Sequence, residues 1–299
     1  MFVLQAAVVK GRGGIATAVA HYERMFAAVG VRSAVMFRGP SLDALRGEGF
    51  DVIEAPPLAT SPLAGVLPLT PSLRDEIAKR AKGEPIVALV HSDLTLPALR
   101  RVAPNALFVT PCHSDKMKHK AHVDLVVALN ADQAELARAR LPGVRVAMLG
   151  NPYVAPEPAP LAPPGAPRIN FVARFTDIKD PVTLVKAAAL INSTPKPEFR
   201  FIGAGPLEAE LHAAAASADA PITFPGWVTA PFSAFHGNDI LVLPSSWEGL
   251  PYLLQEALDH GVPIIAAGNS GNRAALADGA FGALFPFGDA QALAAAIDA

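Results

Sequence analysis

The chain has a single cysteine, Cys112, among its 299 residues. No internal disulfide can form, which suits a reducing compartment. Cys112 reads as a reactive thiol or, better, as a small buried apolar side chain. No run of the sequence reaches the roughly 18 apolar residues that span a bilayer. The stretch from Met1 to Val9 has no basic flank and no cleavage site after it, so it reads as a short strand and not as a secretory leader. Charged residues are scarce, 17% against 51% apolar. That balance excludes a largely disordered chain and leaves each half able to bury a core.

The small net charge of −2 conceals two unlike halves. Residues 1–150 hold 18 Lys and Arg against 13 Asp and Glu, a net +5, and residues 151–299 hold 7 against 14, a net −7. A basic half and an acidic half point to different partners, although two ordinary solvated surfaces would look the same.

Length alone suggests about two domains of roughly 150 residues. In the first half, β-like runs at Phe2–Val9, Ser33–Phe37, Ile86–Val90, Leu107–Thr110, Leu125–Leu129 and Val144–Leu149 alternate with helical spacing at Ile15–Val29, Ser72–Lys82 and Ala131–Arg140. Such alternation predicts a mostly parallel α/β sheet with helices on both faces. A proline-rich stretch follows, with Pro156, Pro158, Pro160, Pro163 and Pro164. Proline removes donors and stiffens the chain, which makes this a spacer. The predicted organisation is a first domain at 1–151, a linker at 152–167 and a second α/β domain at 168–299. Strands of the second are expected at Ile169–Val172, Phe199–Ile202, Ile222–Phe224, Ile240–Leu243 and Pro263–Ala266. Its helices are expected at Pro181–Ile191, Leu207–Ala216, Leu253–Asp259 and Ala290–Ile297. Ligands of doubly wound sheets lie beyond the carboxyl ends of the strands, so two such domains face to face would share one cleft.

Four stretches can carry chemistry. Gly11-Arg-Gly13-Gly14-Ile-Ala16 follows the first strand and opens a helix, where backbone N–H groups can approach a phosphate. It also fits a loose dinucleotide pattern, but the second strand ends in Phe37-Arg38-Gly39 without the acid that holds a ribose. Arg38 there leaves an NADP reading weakened and open. Arg174 and Lys179 flank the turn after the first strand of the second half and can converge on one diphosphate, Arg as a planar fork and Lys as a point charge. Lys179 could equally pair with Asp177 or Asp180. Gly203 and Gly205 form a glycine turn after the next strand, either for close nucleotide approach or simply for the turn. The last stretch, Ser245-Ser-Trp-Glu248-Gly249-Leu250-Pro251-Tyr-Leu-Leu-Gln-Glu256, follows a buried strand. Pro251 suits a helix's first turn, Glu248 precedes that helix, and Glu256 lies inside it among apolar neighbours, where an unpartnered carboxylate is costly.

The second half resembles the family-4 retaining glycosyltransferases (glycosyl transferases group 1) of the GT-B fold, an α/β architecture of two Rossmann-like domains facing across a cleft. Glu248 and Glu256 match that family's E-x7-E motif, Arg174 and Lys179 its paired cations, and Gly13 and Gly14 its glycine loop. Phe201–Pro206, Gly226-Trp-Val228 and Asp239–Ser245 follow in the expected order. The resemblance implies a hexosyltransferase-type enzyme moving a sugar from a nucleoside-diphosphate sugar to a glycan, lipid or small-molecule acceptor. It assigns the diphosphate to Arg174, Lys179 and the Gly13-Gly14 amides, the transferred sugar to Glu248, and the donor ribose to Glu256. Gly203, Gly205, Gly249 and Leu250 join the donor site.

His113, just past a first-domain strand, is implied to touch the transferred sugar near the reacting centre; His91, also at a strand end, ranks below it. No Asp-x-Asp pair occurs, so neither a metal nor a cofactor is expected. The helix with which such proteins cross back to the first domain is not visible before Ala299. The implied setting is cytoplasmic, with peripheral contact at the inner membrane face through the basic half and Asp115–Lys120, and no nucleic acid. Alternatives that stay open are a nucleotide-sugar epimerase or phosphorylase, a non-catalytic nucleotide-sugar-binding protein, and an NADP oxidoreductase.

Overall fold

Apolar runs that are hydrophobic on both faces need helices above and below them, and both halves of the chain meet that need with parallel sheets. The computed structural model describes residues 1–10, 13–60, 71–155 and 160–299. Gly11 and Arg12 of the glycine loop, and Pro156 and Pro158 of the spacer, lie outside the described residues. The chain divides into two compact units, Met1–Val154 and Ala155–Ala299. The division falls inside the proline-rich stretch.

The first unit runs β1 (Phe2–Val8), α1 (Gly14–Ala28), β2 (Arg32–Arg38), α2 (Leu42–Gly47), β3 (Val52–Glu54), α3 (Pro71–Ala81), β4 (Ile86–Val90), α4 (Leu96–Val102), β5 (Leu107–Pro111), β6 (Leu125–Ala128), α5 (Ala131–Arg140) and β7 (Arg145–Met148). The sheet order is β3-β2-β1-β4-β5-β6-β7, and neighbouring strands pair in parallel, with β1 in register between β2 and β4. Phe2, Leu4, Met36, Leu99 and Phe108 form the centre of one core face. Each large apolar side chain so buried contributes roughly 1.5–3 kcal/mol. At the end of the unit, His21 Nδ1 accepts the Val154 N–H at 3.1 Å and the His21 ring tilts against Tyr153.

The second unit repeats the plan: β8 (Arg168–Val172), α6 (Pro181–Leu190), β9 (Glu198–Ile202), α7 (Glu208–Ser217), β10 (Ile222–Gly226), β11 (Ile240–Leu243), α8 (Tyr252–Asp259), β12 (Ile264–Ala267), α9 (Ser270–Ala275), β13 (Ala283–Phe285) and α10 (Ala290–Asp298). Its order is β10-β9-β8-β11-β12-β13. Phe171, Phe175, Phe199 and Phe201 pack with Leu184 and Leu211 in its core. In both sheets the chain runs outward from one central strand and then returns to the other side. The topological switch point therefore lies between β1 and β4 in one unit and between β8 and β11 in the other. Crevices at such points are where open α/β sheets take ligands.

Five short elements, α2, β3, α4, α9 and β13, are absent from the sequence expectation. Each has seven residues or fewer, too few turns or alternations for periodicity to show. Among the described residues no helix is long and apolar enough to cross a membrane.

Candidate functional site

In the second unit the chain leaves β8 at its carboxyl end and enters the loop that carries Arg174 and Lys179. Phe175, 1% exposed, pins this loop into the core. A tight turn at Asp177–Lys179 then meets Asp180, which adopts a left-handed conformation (φ 44°, ψ 53°) as the cap of α6. Asp tolerates that conformation because its carboxylate bonds locally. It accepts the Thr183 N–H at 3.3 Å and the Thr183 hydroxyl at 2.6 Å.

Asp180 is thus committed to the helix. Lys179 instead donates from Nζ to Glu248 Oε1 at 2.5 Å, across the switch point and 69 residues away in sequence. The Ser246 N–H donates to the Ile178 carbonyl at 2.8 Å, so the two loops are joined through backbone as well. Glu248 is buried, and Lys179 is half-buried. Such a pair resists solvent screening better than a surface one. Arg174, by contrast, is exposed and has no hydrogen bond or ion pair among the described residues. The sequence expectation left Lys179 open between two neighbouring aspartates and a ligand; its partner here is neither aspartate.

The Glu248 loop has a support that sequence reasoning missed. A Cβ on Gly271, in α9, would stand 2.3 Å from the Glu248 carbonyl oxygen and 2.7 Å from that of Gly249. Only glycine lets this helix seat against the loop. Asn269 caps α9 by accepting the Asn272 N–H at 3.0 Å and donates from Nδ2 to the Ser245 carbonyl at 2.9 Å. The run Asn269-Ser-Gly271-Asn272 was the available signal. Pro251 precedes α8 in extended conformation instead of standing in its first turn.

Glu256 lies on α8 and is half-buried. Burial raises its carboxyl above the ordinary carboxylate range. It has no side-chain partner among the described residues, and it is not bonded to Arg174, Lys179 or Glu248. A hydroxyl-bearing ligand would supply the missing donors.

The two glycine loops differ. A Cβ on Gly203 would sit 1.9 Å from the Ala173 carbonyl oxygen, and one on Gly205 2.4 Å from that of Phe175. The β9–α7 loop is zipped to the Arg174 loop by Ala173 N–H to the Ile202 carbonyl, Phe175 N–H to the Ala204 carbonyl and Leu207 N–H to the Phe175 carbonyl. Packing of the Arg174 loop therefore demands these glycines, whatever they do for a ligand. Around Gly13 and Gly14 the space is open: a Cβ on either meets nothing within 4 Å.

In the first unit, the carboxyl ends of β4 and β5 bring His91 and His113 together. His91 Nδ1 and His113 Nε2 are 2.8 Å apart, with the rings stacked at 5.1 Å. His91 is buried. Burial, and then the charge of Lys120, hold His113 down to about 4, with Asp93 opposing. Burial and then His113 hold His91 well below the usual histidine range. Lys120 is itself buried and paired with Asp93, which anchors the basic loop at 115–120. Cys112 next door is buried, and burial pushes its thiol up to about 11, so it is a packing residue and not a reactive thiolate.

A family model described as Glycosyl transferases group 1 matches residues 166–299. Over 244 residues the chain is 30% identical to the phosphatidyl-myo-inositol mannosyltransferase of Mycolicibacterium smegmatis, covering 77% of this chain and 59% of that protein. Over 140 residues it is 31% identical to the lipopolysaccharide core biosynthesis glycosyltransferase LpsE of Rhizobium meliloti, covering 46% and 40%. The chain thus spans less than two thirds of the length of these curated relatives. Among solved structures, Anabaena HepE in complex with UDP and glucose matches with a TM-score of 0.76 at 16% identity, covering 100% of this chain and 89% of that one. The pneumococcal O-GlcNAc transferase GtfA, in complex with UDP and GlcNAc, matches with a TM-score of 0.76 at 14% identity, covering 100% and 91%. These likenesses show the fold of both units, two Rossmann-like sheets of the GT-B kind.

Proposed function

We infer from the group 1 glycosyl transferase domain at residues 166–299 that this chain transfers a hexose from a nucleoside-diphosphate sugar to a hydroxyl-bearing acceptor. The observation that carries the reading is the switch point of the second unit. There the Lys179–Glu248 pair stands in the same pinned loops as an unpaired Arg174, and Glu256 waits as an unpartnered carboxylate on the helix that follows.

Cleaving the bond between sugar and diphosphate leaves negative charge on the phosphate. Preorganised cations and N–H groups aimed at that charge lower the barrier. Arg174 and Lys179 fill this role, so no metal is required. Glu248, held by Lys179, accepts hydroxyls of the transferred sugar, and Glu256 accepts those of the ribose. As the leaving group departs, the sugar carbon gains oxocarbenium character. The acceptor hydroxyl attacks from the face the diphosphate leaves, so configuration is retained. Its proton passes to the departing phosphate oxygen, and no protein nucleophile is needed. This is the chemistry of the family-4 retaining enzymes.

The named relatives act on phosphatidyl-myo-inositol and in lipopolysaccharide core biosynthesis, which supports a lipid-linked or envelope-glycan acceptor reached from the cytoplasmic face. The basic first half suits such an anionic surface.

A thermal-shift screen against UDP-, GDP- and ADP-sugars tests the reading, since a ligand that binds only the native state raises its stability. One donor should stabilise the chain, and its nucleoside diphosphate should be released only when an acceptor is present. Donor binding without transfer would mark a binding protein, and an epimer formed without acceptor would mark an epimerase.

A further inference from the structure

Gln5 stands inside β1, wholly buried, where a central parallel strand ordinarily takes an apolar side chain. Its amide nitrogen lies 3.2 Å from the Val19 carbonyl and 2.6 Å from Glu23 Oε1. A carbonyl can only accept, so this edge of the amide is the NH2 group and the opposite edge is the oxygen. That oxygen lies 2.7 Å from His91 Nε2, which must therefore carry a hydrogen. One proton then has to occupy the 2.8 Å contact between His91 Nδ1 and His113 Nε2.

His91 is 4% exposed, edge-on to the Tyr22 ring at 5.4 Å, and bonds to no carboxylate among the described residues. A second proton would make it an unpaired buried cation. Its Nδ1 is consequently a lone pair, and the shared proton belongs to His113 Nε2. Burial, and then the charge of Lys120, keep the His113 ring neutral at physiological pH, so what remains of it, Nδ1, is also a lone pair, with no partner among the described residues. The ring is half-buried just past the end of β5, on the sheet edge where β1 delivers Gly13 and Gly14.

We propose that Gln5, His91 and Glu23 are positioning residues that hold His113 in the one tautomer whose Nδ1 can only accept a hydrogen bond from the ligand. The group accepted is a hydroxyl, of the donor sugar or of the acceptor. A phosphate oxygen or a carboxylate at this point meets a lone pair and is refused. Glu23 completes the chain by accepting from Gln5 at one oxygen and from the Ser33 hydroxyl at the other, 2.8 Å away. This inference rests on the glycosyltransferase reading for the identity of the ligand, but not for the state of the ring.

The test begins with long-range proton–nitrogen correlation on ring-labelled, ligand-free protein at neutral pH. Both His91 and His113 should be neutral with the hydrogen on Nε2. A hydrogen on His113 Nδ1, or a charged ring at either position, would overturn the proposal. In Gln5→Met the anchor is gone, and His113 should become a mixture of tautomers; an unchanged single tautomer would remove Gln5 from the mechanism.

Turnover supplies the second arm. His113→Asn places an amide oxygen near the former Nδ1, whereas His113→Gln places its amide near the former Nε2. Asn should therefore retain roughly tenfold more turnover than Gln, about one hydrogen bond's worth. Equal or reversed values would sink the acceptor role. A rise confined to the donor KM assigns the hydroxyl to the donor sugar, and one confined to the acceptor KM assigns it to the acceptor. If the unaltered chain transfers no sugar at all, the glycosyltransferase reading fails while the ring measurement still decides the tautomer.

Discussion

The two units share one strand order, save for a seventh edge strand in the first, yet they hold their candidate groups by different electrostatics. At the switch point of the second unit the groups are ions, a lysine braced against a buried glutamate. At that of the first lies a hydrogen-bonded line of an amide and two imidazoles, whose burial disfavours charge. The glycine loops differ as well: one is filled by neighbouring backbone and the other faces open space. Topology therefore fixes where a ligand can sit, and the side chains decide which charge it meets.

The largest expected effect lies on the ionic side. Arg174→Ala with Lys179→Ala should lower transfer by about 10³-fold or more while amide exchange in the first unit stays unchanged. Near-normal turnover would remove the electrostatic account. Gly203→Ala forces a Cβ onto the Ala173 carbonyl and should destabilise the second unit by about 3 kcal/mol, read from denaturant unfolding. Lys179→Met leaves Glu248 buried without its cation. It should cost about 2 kcal/mol, less than for a fully buried pair because Lys179 is partly exposed, and Glu248→Gln in the same chain should restore part of it.

Acid separates the units by sign. The histidines at 21, 91 and 113 are held below the ordinary value of 6.5, the first and third at about 4. Unfolding lets them take up protons, so their contribution is complete above pH 6.5 and is lost as pH falls towards 4. At pH 5 the loss should be about 1–2 kcal/mol for His21 and for His113. Burial raises Glu23 in the same unit, which partly offsets this. In the second unit Glu256 is also raised, so its contribution improves as pH falls towards 4.5. Amide exchange at pH 7 and pH 5, corrected for intrinsic rates, should show the first unit loosening more. The smallest effect is expected at Gly14, the first residue of α1. Gly14→Ala meets no neighbour and should gain up to about 1 kcal/mol of stability; nucleotide binding should weaken nonetheless.

Much of this was legible in the sequence because central parallel strands are mostly apolar runs. β1, β4, β8 and β11 stand out for that reason, and with them the loops that carry Gly13, His91, Arg174 and Glu248. Pairing across the fold was not legible. Nothing near Lys179 shows that its partner is Glu248, since Asp177 and Asp180 are both nearer in sequence. Gln5 looks like a stray polar residue until Val19, Glu23 and His91 surround it. Gly271 acquires its meaning only when α9, too short to show a period, meets the backbone of the Glu248 loop.

The zipper between the Arg174 loop and the β9–α7 loop has a thermodynamic consequence. Three main-chain bonds and a core phenylalanine immobilise Arg174's backbone before any ligand arrives, so the disorder surrendered there is surrendered during folding. Association at this loop should then carry little ordering entropy beyond that of the arginine side chain itself, and calorimetry of nucleotide binding should find a rigid receptor where an exposed loop would suggest a pliable one.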